Sequence, residues 1–193
     1  MRINEPLLSS EHICLAPIDH EKDPEIEAGW SNDAYYLRML SFDPVRPISA
    51  AQQKKKYEAI EKEQEDDKNL FYYTIRMRED DRLIGFARIQ WIEWSNSTGF
   101  VQLGIGDGNA RLKGYGSEAL RMLLRLAFEE YNLYRLTALI GEYNPVALHV
   151  FAKAGFVEEV RRRQALYRDG RRWDLIHMGI LRPEWEQANR IEA

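Results

Sequence analysis

The chain has one cysteine, Cys14, in 193 residues. That excludes an internal disulfide and a zinc site built from cysteines. Packing in an early strand is its expected role, since a reactive thiol needs an activating environment. No apolar run approaches the roughly 20 residues that span a bilayer, so no membrane partner is expected. The opening residues lack the charged and apolar regions of a secretory signal, and a cytoplasmic location is expected. Positive charge is not in excess: 27 Lys and Arg stand against 31 Asp and Glu, a net charge of −4. General nucleic-acid binding usually wants a basic face. With no aromatic-basic stripe either, no DNA partner is expected. The balance leaves room for a basic acceptor such as an amine. No internal repeat, low-complexity tract or linker divides the chain, and one domain over residues 1–193 is expected.

What is present is enough apolar material, 45% of residues, for a substantial core. Alternation predicts a first strand over His12–Ile18. Residues 21–40 read as helix in pieces, broken after by Pro44 and Pro47. Ser49 is a predicted N-cap for a charged helix from Ala50 to about Asp66. Leu70–Met77 and Leu83–Trp91 predict a hairpin, and Asn96–Gly99 a turn before a strand at 100–106. A helix is expected from Ser117 to about Tyr131, with Leu120, Leu123, Leu124, Ala127, Phe128 and Tyr131 on one face. Arg135–Ile140 is a short strand. Asn144-Pro145 opens a helix as N-cap and N1, and Gly155 ends it. A strand from Phe156 toward Tyr167 turns at Arg168-Asp169-Gly170-Arg171 into a return strand, Trp173–Leu181. Pro183-Glu184-Trp185 begins a terminal helix. Mixed strands and helices around one sheet make an α+β (mixed α/β) fold.

The segment Arg111-Leu112-Lys113-Gly114-Tyr115-Gly116-Ser117 lies between a strand and a helix. A helix's first turn offers N–H groups without intrahelical partners, and the dipole adds positive potential there. Glycines at 114 and 116 allow close approach, so a pyrophosphate is a natural guest. An ordinary strand-to-helix turn fits the same residues. The loop is not a Walker loop, and it lacks the third glycine of a dinucleotide fingerprint.

Three segments together carry more. They are Arg111-x-x-Gly114-x-Gly116; Asn144-Pro145-x-Ala147-x-x-x-Phe151-x-Lys153-x-Gly155-Phe156; and Leu166–Asp174 in the late hairpin. Together they resemble the GNAT superfamily of acetyl-CoA-dependent N-acetyltransferases, most closely its RimJ/RimL-like branch of ribosomal-protein N-terminal acetyltransferases. The resemblance implies a GNAT-like, mostly antiparallel sheet of about seven strands, splayed between strands 4 and 5 and flanked by helices. It implies acetyl-CoA as cosubstrate and no metal. By position, Arg111, Leu112, Lys113, Gly114, Tyr115, Gly116 and Ser117 would hold the pyrophosphate. Leu103, Gly104 and Ile105 would pair with pantetheine and offer backbone donors to an oxyanion. Asn144, Ala147, Phe151 and Lys153 would flank the cofactor, Asn144 also serving as a helix cap. Arg111 and Lys113 would contact phosphates or stand solvated.

The family pattern is broken at Phe151, where a tyrosine commonly protonates the leaving thiolate. A general base is not explicit either: the strand at 100–106 has no glutamate. Glu142 is the first candidate, followed by Glu93, Asp107 and His149; each fits equally as a solvated or turn residue. Trp30, Tyr35, Tyr36, Tyr167, Trp173 and Asp174 would lie near the acceptor, although the first three also fit a core at helical spacing. Arg161–Arg163 reads as an outward-facing strand edge. The expected activity is N-acetylation of a primary amine, on a protein N-terminus or a small molecule such as a polyamine, amino sugar or antibiotic. The alternative is a coenzyme A-binding sensor of the same fold. A homodimer is compatible with either.

Overall fold

A computed structural model of the chain describes residues 6–191. In chain order the elements are β1 (Ile13–Ala16), α1 (Asp23–Trp30), α2 (Ala34–Leu40), α3 (Ala50–Asp66), β2 (Phe71–Met77), β3 (Leu83–Glu93), β4 (Thr98–Ile105), α4 (Tyr115–Arg125), β5 (Arg135–Gly141), α5 (Pro145–Lys153), β6 (Val157–Arg168), β7 (Arg171–Leu181) and α6 (Arg182–Ile191). The strands form one seven-stranded sheet in the order β1-β2-β3-β4-β5-β7-β6.

Strand alternation sends neighbouring side chains to opposite faces. Ile75 and Ala87 join the larger core, under Leu120, Leu123 and Leu124 of α4 and Phe151 of α5. Tyr72 and Phe86 pack on the other face against Tyr57 and Ile60 of α3. That second face is fastened by buried charge. Asp23, fully buried at the start of α1, accepts from Arg76 Nη2 of β2 at 2.6 Å through both carboxylate oxygens. Nearby Glu27 accepts from the Tyr57 and Tyr72 hydroxyls at 2.5 and 3.1 Å.

Most expected elements appear with small boundary changes. β1 stops at Ala16 rather than Ile18; Pro17 has no N–H to continue a ladder. The Ser49 cap is present as a reciprocal capping box with Gln52. α4 begins at Tyr115, two residues before the expected Ser117, because Gly114 takes a left-handed conformation (φ 92°) as its N-cap. Its expected tail becomes a π turn over Leu126–Glu130. Gly155 ends α5 with φ 99°, and Asp169 and Gly170 (φ 51° and 75°) make the tight late hairpin.

The feature that positions the site is a break in pairing. β4 and β5 are the only parallel neighbours among the described strands, and their register holds just Thr98↔Arg135, Gly99↔Leu136 and Phe100↔Thr137. Beyond it, β4 stays on β3 as far as Ile105 and β5 stays on β7 as far as Gly141. The two strands therefore diverge, each with backbone unpaired toward the gap.

Candidate functional site

The gap opens into a cavity of about 680 Å³. Its walls are Leu103, Gly104 and Ile105 of β4; Arg111, Leu112, Gly114, Gly116 and Ser117 of the loop and first turn of α4; Tyr35, Tyr36, Met39 and Leu40 of α2; and Asn144 through Ala147 with His149, Val150 and Phe151 at and along α5. Sheet splay alone creates the floor. The walls are mainly apolar; Asn144 and His149 add polar groups on the α5 side, and backbone N–H groups collect at the α4 end.

At that end Gly114 caps α4 without any side-chain bond, and the first intrahelical acceptance seen is Glu118 N–H to Gly114 O at 3.0 Å. The amides of Tyr115, Gly116 and Ser117 thus precede the helix's own ladder. A Cβ at Gly114 would meet nothing within 4 Å, so glycine is required there by its backbone conformation and not by crowding. Donors without acceptors, a helix dipole and an open approach make this the end that suits an anion.

Arg111 does not point into that anion site. Its Nε donates to Ile105 O at 3.0 Å, Nη2 to Gly106 O at 2.7 Å and Nη1 to Asp33 at 2.7 Å. The guanidinium sews the end of β4 to the N-cap of α2 and also lies 5.1 Å from the Tyr36 ring centroid. It is neither a solvated loop cation nor a free phosphate ligand. Asp33 is equally committed: its carboxylate caps α2 through Tyr36 N–H, and this bond, followed by Arg111, holds its pKa below the usual carboxylate range. The sign follows from the lowered folded value. The contribution is full above the unfolded carboxyl value of about 3.9 and is lost as pH falls through the folded one. Acid titration should therefore loosen α2 below about pH 4, and Asp33→Asn should flatten that part of a near-ultraviolet circular dichroism titration.

Asn144 performs the cap predicted for it, accepting from Ala147 N–H at 3.0 Å. Its amide also donates to Met39 O at 3.2 Å, joining α5 to α2 across the cavity. Phe151 is a cavity wall and a core residue at once, 6% exposed and edge-on to Phe156.

Other sequence candidates fall outside the cavity lining. Lys113 and Lys153 are exposed, and Tyr115 turns toward His12. Glu142 is bound elsewhere: it accepts from Asp174 N–H at 3.1 Å and pairs with Arg161 at 3.4 Å. Asp174 in turn accepts from Gln164 N–H at 2.9 Å and from Arg161 at 3.2 Å, contacts that hold its pKa down in that order. Glu93 accepts from Asn96 at the far end of β3, and Asp107 caps a short turn and pairs with Arg82. Of the four base candidates only His149 lines the cavity. Trp30 packs against Gly106 beneath the site, while Tyr167 and Trp173 stack under Arg172 and Arg171 on the hairpin. Tyr35 is 59% exposed at the rim, so it is not core; Tyr36 is 7% exposed and is. The Arg161–Arg163 run lies on exposed β6, the sheet edge, as expected. Met39, Leu40, Val146 and Val150 carried no sequence signal for the site, although Leu40 reads as an apolar helix anchor, because only the meeting of α2 with α5 makes them neighbours. Among the described residues, no cluster of three or more His, Cys, Asp or Glu could hold a metal, and no helix is long and apolar enough to cross a membrane.

Residues 12–157 match the family model described as an Acetyltransferase (GNAT) domain. A Bacillus subtilis protein provisionally named a ribosomal N-acetyltransferase, YdaF, is 36% identical over 74 residues, 38% of this chain and 40% of its own length. The Probable N-acetyltransferase YjcK of the same organism is 32% identical over 67% of this chain and 69% of its own. The match thus spans well under two thirds of YdaF and slightly more than two thirds of YjcK. Among solved structures, spermidine N-acetyltransferase from Vibrio cholerae in complex with CoA and spermine superposes with TM-score 0.78. It is 20% identical, covering 90% of this chain and 98% of that one.

Proposed function

The chain belongs to the GNAT acetyltransferase family, and we propose that it transfers an acetyl group from acetyl-CoA to a primary amine bound beside α2. The observation that carries this is the cavity itself: an anion-suited helix start at one end, unpaired strand backbone along the floor, and an aromatic and apolar rim at the other. The pyrophosphate would rest on the amides of residues 114–117, and pantetheine would add to β4 at Leu103–Ile105 as a strand adds to an edge. The neutral amine would then attack the thioester in a ternary complex. His149 is the candidate base that lines the cavity, and the reading gives it, directly or through water, the amine's proton.

The acceptor class follows from what the walls offer. Among the described residues lining the cavity there is no carboxylate. The further ammonium groups of a polyamine would have no counter-charge there, whereas one amine on a mainly apolar body, such as a peptide's N-terminal residue, would meet Tyr35, Met39 and Leu40. The test is thiol release from acetyl-CoA across peptides, polyamines, amino sugars and aminoglycosides. Turnover is expected, fastest with peptide N-termini. Coenzyme A binding without turnover on any amine would instead make the chain a sensor. His149→Ala should lower kcat on the best acceptor by about 10²-fold or more, checked in the same assay; an unchanged rate would remove it as the base.

A further inference from the structure

One buried polar group in the cavity wall has no partner. Tyr36 is 93% removed from solvent by its 7% exposure, yet its hydroxyl makes no hydrogen bond. A buried hydroxyl left unsatisfied is destabilising, and nothing in the packing requires this one: phenylalanine would fill the same volume. The hydroxyl rests over Gly104, 3.1 Å from where a Cβ would stand, and a Leu40 methyl shares that space at 3.0 Å. Gly104 is the middle residue of the unpaired β4 segment along the cavity floor. The residue without a side chain and the hydroxyl without a partner therefore meet at the same point.

The ring is also held with unusual care for a group that bonds nothing. Its backbone N–H is fixed by Asp33 at 3.1 Å. The Arg111 guanidinium covers one side, and Trp30 meets it edge-on at 6.1 Å. Arg111 is itself locked by three hydrogen bonds. A donor pre-set in a water-poor site, aimed at a place where charge will develop, is the arrangement that stabilises a transition state.

We propose that the Tyr36 hydroxyl is a catalytic hydrogen-bond donor to the thioester carbonyl oxygen, acting on the oxyanion of the tetrahedral adduct. The inference rests on the acetyl-transfer reading above. In the step, the amine nitrogen's lone pair bonds the carbonyl carbon and the C=O π pair moves onto oxygen, where Tyr36 donates. Collapse re-forms C=O and breaks C–S with the pair leaving on sulfur. The proton lost by the amine ends on that sulfur, and the phenol keeps its own throughout. Burial, and next the negative charge of Glu27, raise the phenol's pKa. A group that grips its proton suits hydrogen bonding to an oxyanion, not proton donation to a leaving thiolate. Tyr36 thus strengthens a site in which Phe151 brings no hydroxyl, without standing in for the missing acid.

The experiment is infrared difference spectroscopy of bound acetyl-CoA carrying ¹³C at the thioester carbonyl, in wild type and Tyr36→Phe at saturation. The wild-type band should lie below that of free acetyl-CoA, and Tyr36→Phe should move it back up. Coincident bands in the two proteins overturn the proposal. Failure of wild type to bind acetyl-CoA overturns the functional reading and this inference together, an outcome separate from coincident bands. With the best acceptor, Tyr36→Phe should lower kcat by about 10²-fold or more with KM for acetyl-CoA within about twofold, and an unchanged kcat overturns it. The variant's melting temperature should equal or exceed the wild type's. A marked fall would show that the hydroxyl is structural and also overturns the proposal.

Discussion

Replacing Ser117 by aspartate is expected to weaken coenzyme A binding by 100-fold or more while leaving the fold at least as stable. The two effects have opposite signs for one reason. Ser117 is the third residue of α4 and lines the cavity, so a carboxylate there faces the positive end of the helix and should stabilise it by about 0.3–1 kcal/mol. The same carboxylate would sit where the pyrophosphate is placed. Two like charges about 4 Å apart near a protein surface repel by about 4 kcal/mol, and each 1.4 kcal/mol is about tenfold in affinity. Calorimetric titration with coenzyme A, beside a thermal melt, reads both. A variant that melts as wild type and binds as tightly would move the pyrophosphate away from α4. One that fails to fold would contradict the helix argument.

Asp23→Ala should cost about 3–5 kcal/mol of folding stability, because it strands a buried guanidinium. Arg76 is 7% exposed by side chain and Asp23 0%. Once the carboxylate is gone, Arg76 keeps one described hydrogen bond, Nη1 to Asp81 O at 3.2 Å, and a long ion pair to the exposed Asp81 carboxylate at 4.0 Å. A typical domain has about 5–15 kcal/mol in total, so the variant would be poorly folded or close to it. Removing both charges in Asp23→Leu/Arg76→Met should recover most of the loss, since a well-packed apolar pair commonly matches a buried ion pair. Urea unfolding at constant slope measures each; a loss below about 1 kcal/mol for Asp23→Ala would show that the pair is better solvated than its burial implies. The prediction matters for function because the pair anchors α1 to β2, and the start of α2 lies only a few residues beyond α1.

The sequence made legible what is local. Ser49, Asn144 with Pro145, and Asp169 with Gly170 each announced a cap or a turn, because those conformations are set by residues within a few positions of one another. The seven-stranded splayed sheet came from resemblance and is the sheet the chain forms. The loop at 111–117 was readable as a possible anion site from its glycines, but the direction of Arg111 was not. That guanidinium answers to two carbonyls at the end of β4 and to Asp33, 78 positions away in sequence. Glu142 was placed by its nearness to Asn144, yet its carboxylate is engaged by β7 and β6, a contact that only the sheet order creates. The partnerless Tyr36 hydroxyl was beyond sequence for the same reason: spacing marks a tyrosine as core, and only the packed fold shows that its oxygen has nothing to bond.

The most direct test of the account is an amide ¹H–¹⁵N correlation spectrum followed through a coenzyme A titration. The largest saturable shifts are predicted at Gly114–Ser117 and at Leu103–Ile105, with α3 nearly unmoved. Absence of a saturable response, or shifts centred away from the wedge between β4 and β5, would contradict the assignment of that wedge as the acetyl donor's site.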